Sequence, residues 1–417
     1  MFDRRRLLGF AGMAISGMVV GSRAPLIASV PLPRLPAWEP GNLDIHHIDT
    51  GRGNATFILG PEGSTLLVDC GVSNTSLETT SPPRPDGSRQ PGEWVARYAL
   101  RHSRAAKRNS LDYMIATHLH PDHVGDVPPG APRGPRGYVP TGLSEVDEHM
   151  PAAVVIDRAF PDFGLMSPPD APFTSNYLGW LNSRRSRGLR VEAARAGSST
   201  QIGWRGKKGL PFLETRIVAS SGAVWTGEGE GASSLFPDLS GMAPRERPSE
   251  NLCSIALKLT YGKFSYFTGG DLNFDTHDGR RPWADVETPV ARATGRVEVA
   301  TANHHGYFDA VGPDFIKALD AQAYIIQAWH VSHPGPAQFE RLIGAWPGEA
   351  PHDVFALESL PENRIFNSRF AKSLRSSQGH VVVRVAPDGL TYRIFVLDSA
   401  NENDEVIGTF GPYSCRG

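Results

Sequence analysis

Residues 117–125, Thr-His-Leu-His-Pro-Asp-His-Val-Gly, are the most informative stretch of the chain. Four candidate metal ligands lie close together in it: His118, His120, Asp122 and His123. The stretch directly follows residues 111–116, an apolar run that predicts a buried β-strand. A tight loop at a strand end can turn all four side chains toward one point, and imidazole with carboxylate suits Zn²⁺, with Mn²⁺ or Fe²⁺ as alternatives. A polar loop with chance histidines is improbable, because the 417 residues include only 14 histidines.

Composition and charge bound the class of protein. The chain has 42 Lys+Arg and 44 Asp+Glu, with 40% hydrophobic and 21% charged residues, which is typical of a globular protein with room for one large α/β domain or two ordinary ones. Near-neutral charge argues against nucleic-acid binding through bulk positive potential. Three basic clusters are interpreted as ordinary solvated surface, with the border of a substrate groove as the alternative for one of them: Arg101–Arg108, Arg184–Arg190 and Arg205–Lys208.

The three cysteines are too few and too scattered for a disulfide framework or a thiolate zinc site. They are Cys70, Cys253 and Cys415. We expect them to be buried or half-buried small apolar side chains. A single Cys–Cys bridge stays open as an alternative if the protein is exported.

The N-terminus has the pattern of a targeting signal. Arg4-Arg5-Arg6 precedes Leu7–Val20, an uncharged, glycine-containing apolar stretch that is short for a membrane-spanning helix. It resembles a bacterial twin-arginine export signal. We therefore predict a signal peptide over residues 1–29, one domain over residues 30–417, transient contact with the export machinery, and a periplasmic or extracellular protein without a stable membrane span. An uncleaved amphipathic or anchoring N-terminus is the alternative.

The order of the predicted elements indicates the fold class. Three short β-type runs between residues 43 and 69 are separated by glycine and proline, which predicts hairpins. Residues 125–150 are predicted to be a loop rich in proline and glycine. Further along the chain, strands alternate with helices. This order favours an α/β protein with mixed sheets flanked by helices.

Several stretches together resemble the metallo-β-lactamase superfamily. Residues 117–125 resemble its His-x-His-x-Asp-His motif, residues 48–55 and 66–71 its opening hairpins, and residues 268–272, Thr-Gly-Gly-Asp-Leu, a strand ending in a metal-bridging aspartate. Residues 302–306, Ala-Asn-His-His-Gly, resemble the competence-type branch, which is related to the hydrolase domain of a DNA-uptake protein and to a phosphorylcholine esterase. The resemblance covers roughly residues 43–400. It implies an αββα sandwich of two mixed sheets flanked by helices.

The resemblance also implies a dinuclear metal site. His118 and His120 would hold one ion, Asp122, His123 and His305 would hold the second, and Asp271 would bridge the two. Zinc is the expected metal, with manganese or iron as alternatives. An ordinary turn residue is the alternative role for Asp271. In the broader superfamily, a further histidine often completes the first ion's ligands, but His149 is the only histidine between residues 124 and 270.

The resemblance assigns roles to the residues around the site. Asp122 and His304 are predicted to be catalytic. His304 would protonate a leaving group or contact a phosphate oxygen, and a packing role is the alternative. Asp69 is expected to orient the metal ligands, as metal-bound imidazoles usually require. His333 is expected to contact substrate, with an inert loop histidine as the alternative.

The implied reaction is hydrolysis by metal-bound hydroxide, because metal coordination lowers the pKa of water toward about 7. No Gly-x-Ser-x-Gly motif occurs that would supply a serine nucleophile. The prediction is an exported phosphodiesterase or phosphoesterase acting on a small-molecule or phosphodiester substrate, with nucleic acid not favoured. An acyl hydrolase of the lactone or β-lactam type is one alternative, and a catalytically silent binding protein with the same fold is the other.

Overall fold

The computed structural model describes residues 33–73, 78–344 and 351–417. Pro33–Gly417 forms one compact unit. The predicted signal peptide, residues 1–29, lies outside the described residues. In the part of the chain that the structure describes, no helix has both the length and the apolar character needed to cross a membrane.

Short apolar runs separated by glycine and proline turns form strands along the whole described chain. In chain order they are β1 (Leu43–His47), β2 (Ala55–Leu59), β3 (Thr65–Cys70), β4 (Leu111–Ile115), β5 (Ala152–Asp157), β6 (Arg190–Ala193), β7 (Leu213–Ser220), β8 (Ala223–Trp225), β9 (Ala232–Ser234), β10 (Ala256–Tyr261), β11 (Phe264–Thr268), β12 (Val299–Thr301), β13 (Ala323–Ile326), β14 (Asp353–Ala356), β15 (Leu374–Ser376), β16 (His380–Val385), β17 (Thr391–Leu397) and β18 (Val406–Ser414).

Helices connect many of these strands, and most of them begin with proline in the first turn, where its missing N–H costs nothing. In chain order they are α1 (Pro91–His102), α2 (Pro121–Val124), α3 (Leu143–His149), α4 (Pro172–Ser186), α5 (Glu287–Thr294), α6 (Pro313–Leu319), α7 (Pro336–Leu342), α8 (Pro361–Phe366) and α9 (Ser368–Ala371). Three short 3₁₀ segments lie at Pro244–Glu246, Asn251–Cys253 and Pro282–Ala284, and Asn303–Gly306 forms a tight turn with non-helical backbone at His304 and His305.

The described strands make two nine-stranded sheets with the same plan. The first has the order β18-β17-β16-β1-β2-β3-β4-β5-β6, and the second has the order β15-β14-β13-β12-β11-β10-β7-β8-β9. In the first sheet the strands pair antiparallel from β18 to β3 and parallel from β3 to β6. In the second they pair parallel from β11 to β15 and antiparallel from β11 to β9. Both sheets are therefore mixed.

Three apolar layers hold the sheets and helices together. The central layer lies between the sheets and combines Ile45 and Val68 of the first with Leu257 and Ile325 of the second. Helices α1, α3 and α4 cover the outer face of the first sheet, and α5, α6 and α7 cover that of the second. Each fully buried large aliphatic side chain contributes about 1.5–3 kcal/mol of transfer free energy. The predicted αββα sandwich is confirmed.

Two local predictions were wrong and one was confirmed. Residues 125–150 contain α3 rather than only loop, because Leu143 and Val146 are spaced three apart and bury one helix face. The cluster Arg184–Arg190 is interpreted from the sequence as solvated surface, but Arg184 is fully buried. Its guanidinium donates to the Asp147 carboxylate and to the Ala152 carbonyl. The cysteines are free, two of them buried and one half-buried, as expected.

Parallel strands bring polar loops to one edge of the sandwich. β4 leads into the His118–His123 loop, β11 into Asp271, and β12 into the His304-His305 pair. The carboxyl ends of parallel strands meet at the same edge of a sheet, which is where ligand sites form in open α/β folds. The two sheets therefore contribute ligands from opposite sides to one edge.

Candidate metal centre

Four buried side chains converge on one point and are called here the four-residue group: Asp122, His123, Asp271 and His305. His305 Nε2 lies 3.0 Å from Asp122 Oδ2 and 3.6 Å from Asp271 Oδ2. His123 Nε2 lies 3.1 Å from Asp271 Oδ1 and 3.7 Å from Asp122 Oδ2. Two imidazoles and two carboxylates at these separations form a set of donors suited to one divalent cation.

A second cluster shares one of those side chains and is called here the three-residue group: His118, His120 and Asp271. His118 Nε2 lies 3.1 Å from His120 Nδ1 and 3.6 Å from Asp271 Oδ2. Because Asp271 belongs to both groups, its carboxylate lies where one anion can neutralise charge on two neighbouring cations. Two-metal hydrolytic sites use such an arrangement with ions about 3.5–4 Å apart.

The His118–His123 loop is held close to the opening hairpins by a glycine contact. A Cβ atom at Gly71 would lie 1.7 Å from the Asp122 carbonyl carbon, and one at Gly53 would lie 2.4 Å from the Gly71 carbonyl oxygen. Only glycine allows the two backbones to approach this closely. The Asp69-Cys70-Gly71 stretch therefore sets the position of the ligand loop.

Asp69 orients the ligands from behind, where it is almost fully buried. Its Oδ1 accepts the Thr117 backbone N–H at 2.8 Å, and its Oδ2 accepts the Thr117 hydroxyl at 2.7 Å. His123 Nδ1 also lies 2.8 Å from Oδ2 and donates to it. This hydrogen bond fixes the His123 ring and leaves its Nε2 facing Asp271.

The His304-His305 pair has an unusual backbone that its surroundings impose. Both residues have positive φ, at 46° and 56°. Such conformations cost free energy for non-glycine residues and cluster at functional sites. Buried Glu287 braces the loop, because it accepts the Asn303 side-chain amide and the backbone N–H groups of Val311 and Gly312.

The hydrogen bonds behind the rings show that the centre fits a cation. His305 Nδ1 donates to the Gln327 carbonyl at 3.0 Å, so in the neutral ring Nε2 carries a lone pair that faces the Asp122 carboxylate. His123 presents the same arrangement to Asp271. His123 Nε2 and Asp271 Oδ1 are buried and have no hydrogen-bond partner within the described residues. Lone pairs facing each other at about 3 Å require a proton or a cation between them, so the residues present fit metal ions.

The shifted pKa values in the centre favour a neutral His118 and an ionised Asp271, which are the forms that bind a metal ion. Burial lowers the pKa of His118 well below its ordinary value, with the nearby His123 as the next cause. Burial opposes ionisation of Asp271, but the surrounding histidines outweigh it and hold the pKa of that carboxyl well below its usual range. Burial would also lower the pKa of His123, yet the facing carboxylates of Asp271 and Asp122 raise it. Metal ligation needs deprotonated ligands, and a cation would take the place of the proton on His123.

His304 lies at the rim of the centre and is partly open to solvent, with 18% of its side chain exposed. Its Nε2 lies 3.8 Å from Asp271 Oδ2 and 3.2 Å from the side-chain nitrogen of Asn251. Its Nδ1 donates to Asp309 Oδ1 at 2.6 Å. Burial works against protonation, but Asp271 and Asp309 outweigh it and raise the pKa of His304. The ring is thus oriented by one carboxylate with its other nitrogen directed toward the centre.

His333 packs on a metal-ligand candidate rather than facing open solvent. Its ring stacks on that of His305 with centroids 4.7 Å apart and planes 14° from parallel. Trp329 borders the same ring and places its indole N–H 3.4 Å from His305 Nε2. Burial lowers the pKa of His333 well below its ordinary value, with His305 as the next cause.

A buried ion pair supports the His118–His123 loop from the other side. Glu250 Oε1 accepts the backbone N–H of Leu119 at 2.8 Å. Both oxygens of Glu250 also accept from the Arg158 guanidinium, at 2.6 and 2.8 Å, and both side chains are buried. The carboxylate therefore connects the ligand loop to the end of β5.

The structure brings together nine residues predicted from the sequence: Asp69, His118, His120, Asp122, His123, Asp271, His304, His305 and His333. His149 is exposed at the end of α3. Sequence reasoning missed the supporting residues Asp309, Glu250 and Arg158. Asp309 lies only five residues after His304, so a His-Asp pair was within reach of a local search. Glu250 and Arg158 carry no sequence signal, since their pairing depends on a separation of 92 residues.

One family model matches part of the chain. Residues 48–139 match the model described as the metallo-β-lactamase superfamily. The matched segment contains Asp69 and the whole His118–His123 loop, whereas Asp271 and His305 lie beyond it. A search of curated proteins finds no match. The competence-type branch stays a prediction.

The solved structures that match this chain have low sequence identity to it. A mutant of the CmlA β-hydroxylase is 14% identical, with a TM-score of 0.39 over 84% of this chain and 55% of that one, so this chain spans about half its length. A protein from Parabacteroides distasonis described as a metal-dependent hydrolase is 11% identical, with a TM-score of 0.35 over 75% of this chain and 92% of that one. The short form of human tRNase Z is 11% identical, with a TM-score of 0.26 over 80% of this chain and 89% of that one.

Proposed function

We propose that this protein is a metal-dependent hydrolase with a two-ion centre, and that its substrate is a phosphodiester or a related phosphate ester. The observation that carries the proposal is the sharing of Asp271 between the four-residue group and the three-residue group. The match of residues 48–139 to a superfamily of metal-dependent hydrolases supports the same conclusion. Zinc is the proposed metal, since imidazole and carboxylate ligands in this number suit it.

The proposed roles of the ligands follow from their positions. His118 and His120 would hold one ion, Asp122, His123 and His305 would hold the other, and Asp271 would be shared between them. When bound, the ions supply an activated water and neutralise charge that develops on the substrate oxygens. The catalytic role proposed for Asp122 is that of a ligand: its Oδ2 lies 3.0 Å from His305 Nε2, on the same side of the centre.

His304 is the proposed proton donor to the leaving group. Asp309 holds its Nδ1–H, so the proton that can be transferred is on Nε2, the nitrogen directed toward the centre. The Asp309 carboxylate that accepts the Nδ1–H stabilises the protonated ring, and a general acid must carry its proton when the leaving group departs. Partial exposure gives a leaving oxygen access to this nitrogen. His333 is proposed to border the substrate through its stacking on His305.

The phosphodiester proposal is favoured over its alternatives by the three-residue group. That group offers two imidazoles and a shared carboxylate, which leaves room for substrate oxygens as further ligands. Acyl hydrolysis remains the second candidate, because the same two-ion chemistry also acts on carbonyl carbon. A catalytically silent binding protein is disfavoured by the full set of candidate ligands.

We also propose export by a twin-arginine route and a periplasmic or extracellular location, on the strength of the N-terminal sequence. That route would involve the export machinery as a transient partner. Nucleic acid is not favoured as substrate because of the near-neutral charge of the chain.

The test is a substrate comparison with metal-loaded protein. Bis-p-nitrophenyl phosphate, a lactone and nitrocefin are offered to the wild type, to His304→Ala, and to His149→Ala as a matched surface-histidine control. Turnover of the phosphodiester by the wild type that is unchanged in His149→Ala supports the proposal. Because p-nitrophenolate leaves without a proton, the proton-donor role of His304 is tested on a dialkyl phosphodiester, where His304→Ala should lower turnover about 10²–10⁴-fold. Turnover of the lactone or nitrocefin alone would replace the phosphodiesterase proposal with the acyl-hydrolase alternative.

A further inference from the structure

An apolar cavity of about 270 Å³ lies beside the metal centre. Its lining includes Phe308, Val331, Pro334, Pro336 and Phe366. Pockets that enclose a whole small molecule measure about 300–1,000 Å³. This cavity is therefore sized for one substituent of a substrate.

Large apolar side chains are exposed around the cavity. Phe308 is 53% exposed, and Ile365 and Phe366 at the end of α8 are each 74% exposed. Exposed apolar side chains grouped at one place mark a binding surface, whereas isolated ones need no explanation. No other pair of the large exposed apolar side chains described in the structure is adjacent in sequence.

The cavity lies next to the loop that carries His305. Gly335 donates its N–H to the Gly306 carbonyl at 2.9 Å, which joins the cavity wall to the ligand loop. The Tyr307 ring contacts both the centre and the cavity wall: its centroid lies 5.1 Å from that of His304 and 4.7 Å from that of Phe308. A substrate with its scissile bond beside His304 therefore has an aromatic wall leading to the cavity.

Hydrogen bonds hold the far wall in place. The Asn363 side-chain amide donates to the Val331 carbonyl at 2.8 Å and to the Pro334 carbonyl at 2.9 Å. Asn363 is almost fully buried, so α8 is anchored to the loop beside His333. The cavity is thus a preformed feature, and binding in it requires little ordering of the protein.

We propose that this cavity binds an unbranched alkyl substituent of the substrate, so that the hydrolase prefers alkyl phosphodiesters to polar ones. The inference rests on the proposed phosphoesterase function and names its substrate class. The lining supplies apolar contact on several sides, and burying each methylene group in such surroundings is favourable. Phe308 and Phe366 are the specificity-determining residues.

The experiment uses p-nitrophenyl alkyl phosphates from methyl to hexyl, which share one leaving group. In the wild type, kcat/KM rises with chain length by up to about fourfold per methylene until the cavity is filled. Phe366→Ser flattens this rise. Phe212→Ser, which alters a 60% exposed phenylalanine elsewhere, keeps the wild-type rise. Equal kcat/KM across the series, or an unchanged rise in Phe366→Ser, overturns the cavity proposal while the hydrolase proposal stands.

A binding measurement separates the two proposals. If no phosphodiester is hydrolysed, the proposed function is wrong, and calorimetry with hexyl phosphate and methyl phosphate decides the cavity. Tighter binding of hexyl phosphate to the wild type that is lost in Phe366→Ser supports the cavity. Equal affinities of the two phosphates overturn it.

Discussion

Asp69→Asn is the sharpest test of how the centre is held, because it replaces one oxygen by an NH₂ group of nearly the same size. Asp69 Oδ2 faces two donors, the Thr117 hydroxyl at 2.7 Å and His123 Nδ1 at 2.8 Å. Its Oδ1 accepts the Thr117 backbone N–H at 2.8 Å. The carboxylate therefore selects the His123 tautomer with its proton on Nδ1 and a lone pair on Nε2.

In the variant, the amide group reverses this selection. An NH₂ group in place of Oδ2 donates toward His123, so the proton of the neutral ring moves to Nε2, the atom 3.1 Å from Asp271. A protonated Nε2 cannot bind a metal ion. If the amide turns the other way, its NH₂ faces the Thr117 N–H and one hydrogen bond is lost.

The expected loss falls mainly on one of the two ions. Removing the partner of a metal-bound imidazole costs about 10–100-fold in metal affinity, or about 1.4–2.7 kcal/mol. The four-residue group includes His123 and weakens by this amount. The three-residue group does not include His123 and is reached only through the Thr117 hydroxyl, which lies 3.2 Å from His118 Nδ1, so its affinity falls less.

The assay is competition for Zn²⁺ with a chromophoric chelator, read as two dissociation constants. Asp157→Asn is the matched control, because Asp157 is a fully buried strand-end aspartate that accepts the Ala159 and Phe160 N–H groups and the Tyr177 hydroxyl. Circular dichroism establishes that each variant is folded. Wild-type values for both dissociation constants in a folded Asp69→Asn protein would refute the role given to Asp69.

Three further predictions concern stability. Burial raises the pKa of Asp49 to about 7, with Glu358 as the next cause. The protonated Asp49 carboxyl therefore contributes fully to stability below pH about 3.8, and this contribution is lost as the pH rises through about 7. The amide side chain introduced by Asp49→Asn can keep both hydrogen bonds, to Ser399 and Gly51. Denaturation measured between pH 5 and 8.5 should show the variant about 2–4 kcal/mol more stable than the wild type at high pH. The same pH dependence in the variant and the wild type would contradict this. Glu250→Ala leaves the buried Arg158 guanidinium without its carboxylate, so urea denaturation should show a free energy of unfolding lower by about 3–5 kcal/mol. Adding Arg158→Met should recover most of that loss. A double variant whose loss is the sum of the two single losses would count against this. Removing metal with a chelator should lower the melting temperature, since each ion at a hundredfold excess over its dissociation constant contributes about 2.7 kcal/mol, and adding Zn²⁺ back should restore it.

The candidate metal ligands could be identified from the sequence because their chemistry is concentrated. His118, His120, Asp122 and His123 lie in one loop after a strand, and few other arrangements of such residues are stable at a strand end. Asp271 and His305 follow later strands in the expected order. The sandwich follows as well, since strand hairpins followed by alternating strands and helices leave few packings that bury every apolar face.

The residues that the sequence does not reveal act through distant partners. Glu250 gains its role only where the chain brings Arg158 and Leu119 beside it, and no local pattern marks that pairing. Arg184 resembles its exposed neighbours in sequence, and only the position of Asp147 in α3 buries it. The apolar cavity likewise depends on α8 meeting the loop after β13.

The metal content of the purified full-length chain tests the central claim most directly. After exposure to Zn²⁺ and removal of loosely bound ions, elemental analysis should find two divalent ions per chain in the wild type and in Asp157→Asn. Asp271→Ala, which removes the carboxylate common to both ligand groups, should retain fewer than one. A wild-type chain without metal, or an Asp271→Ala chain that keeps both ions, would contradict a shared two-ion centre.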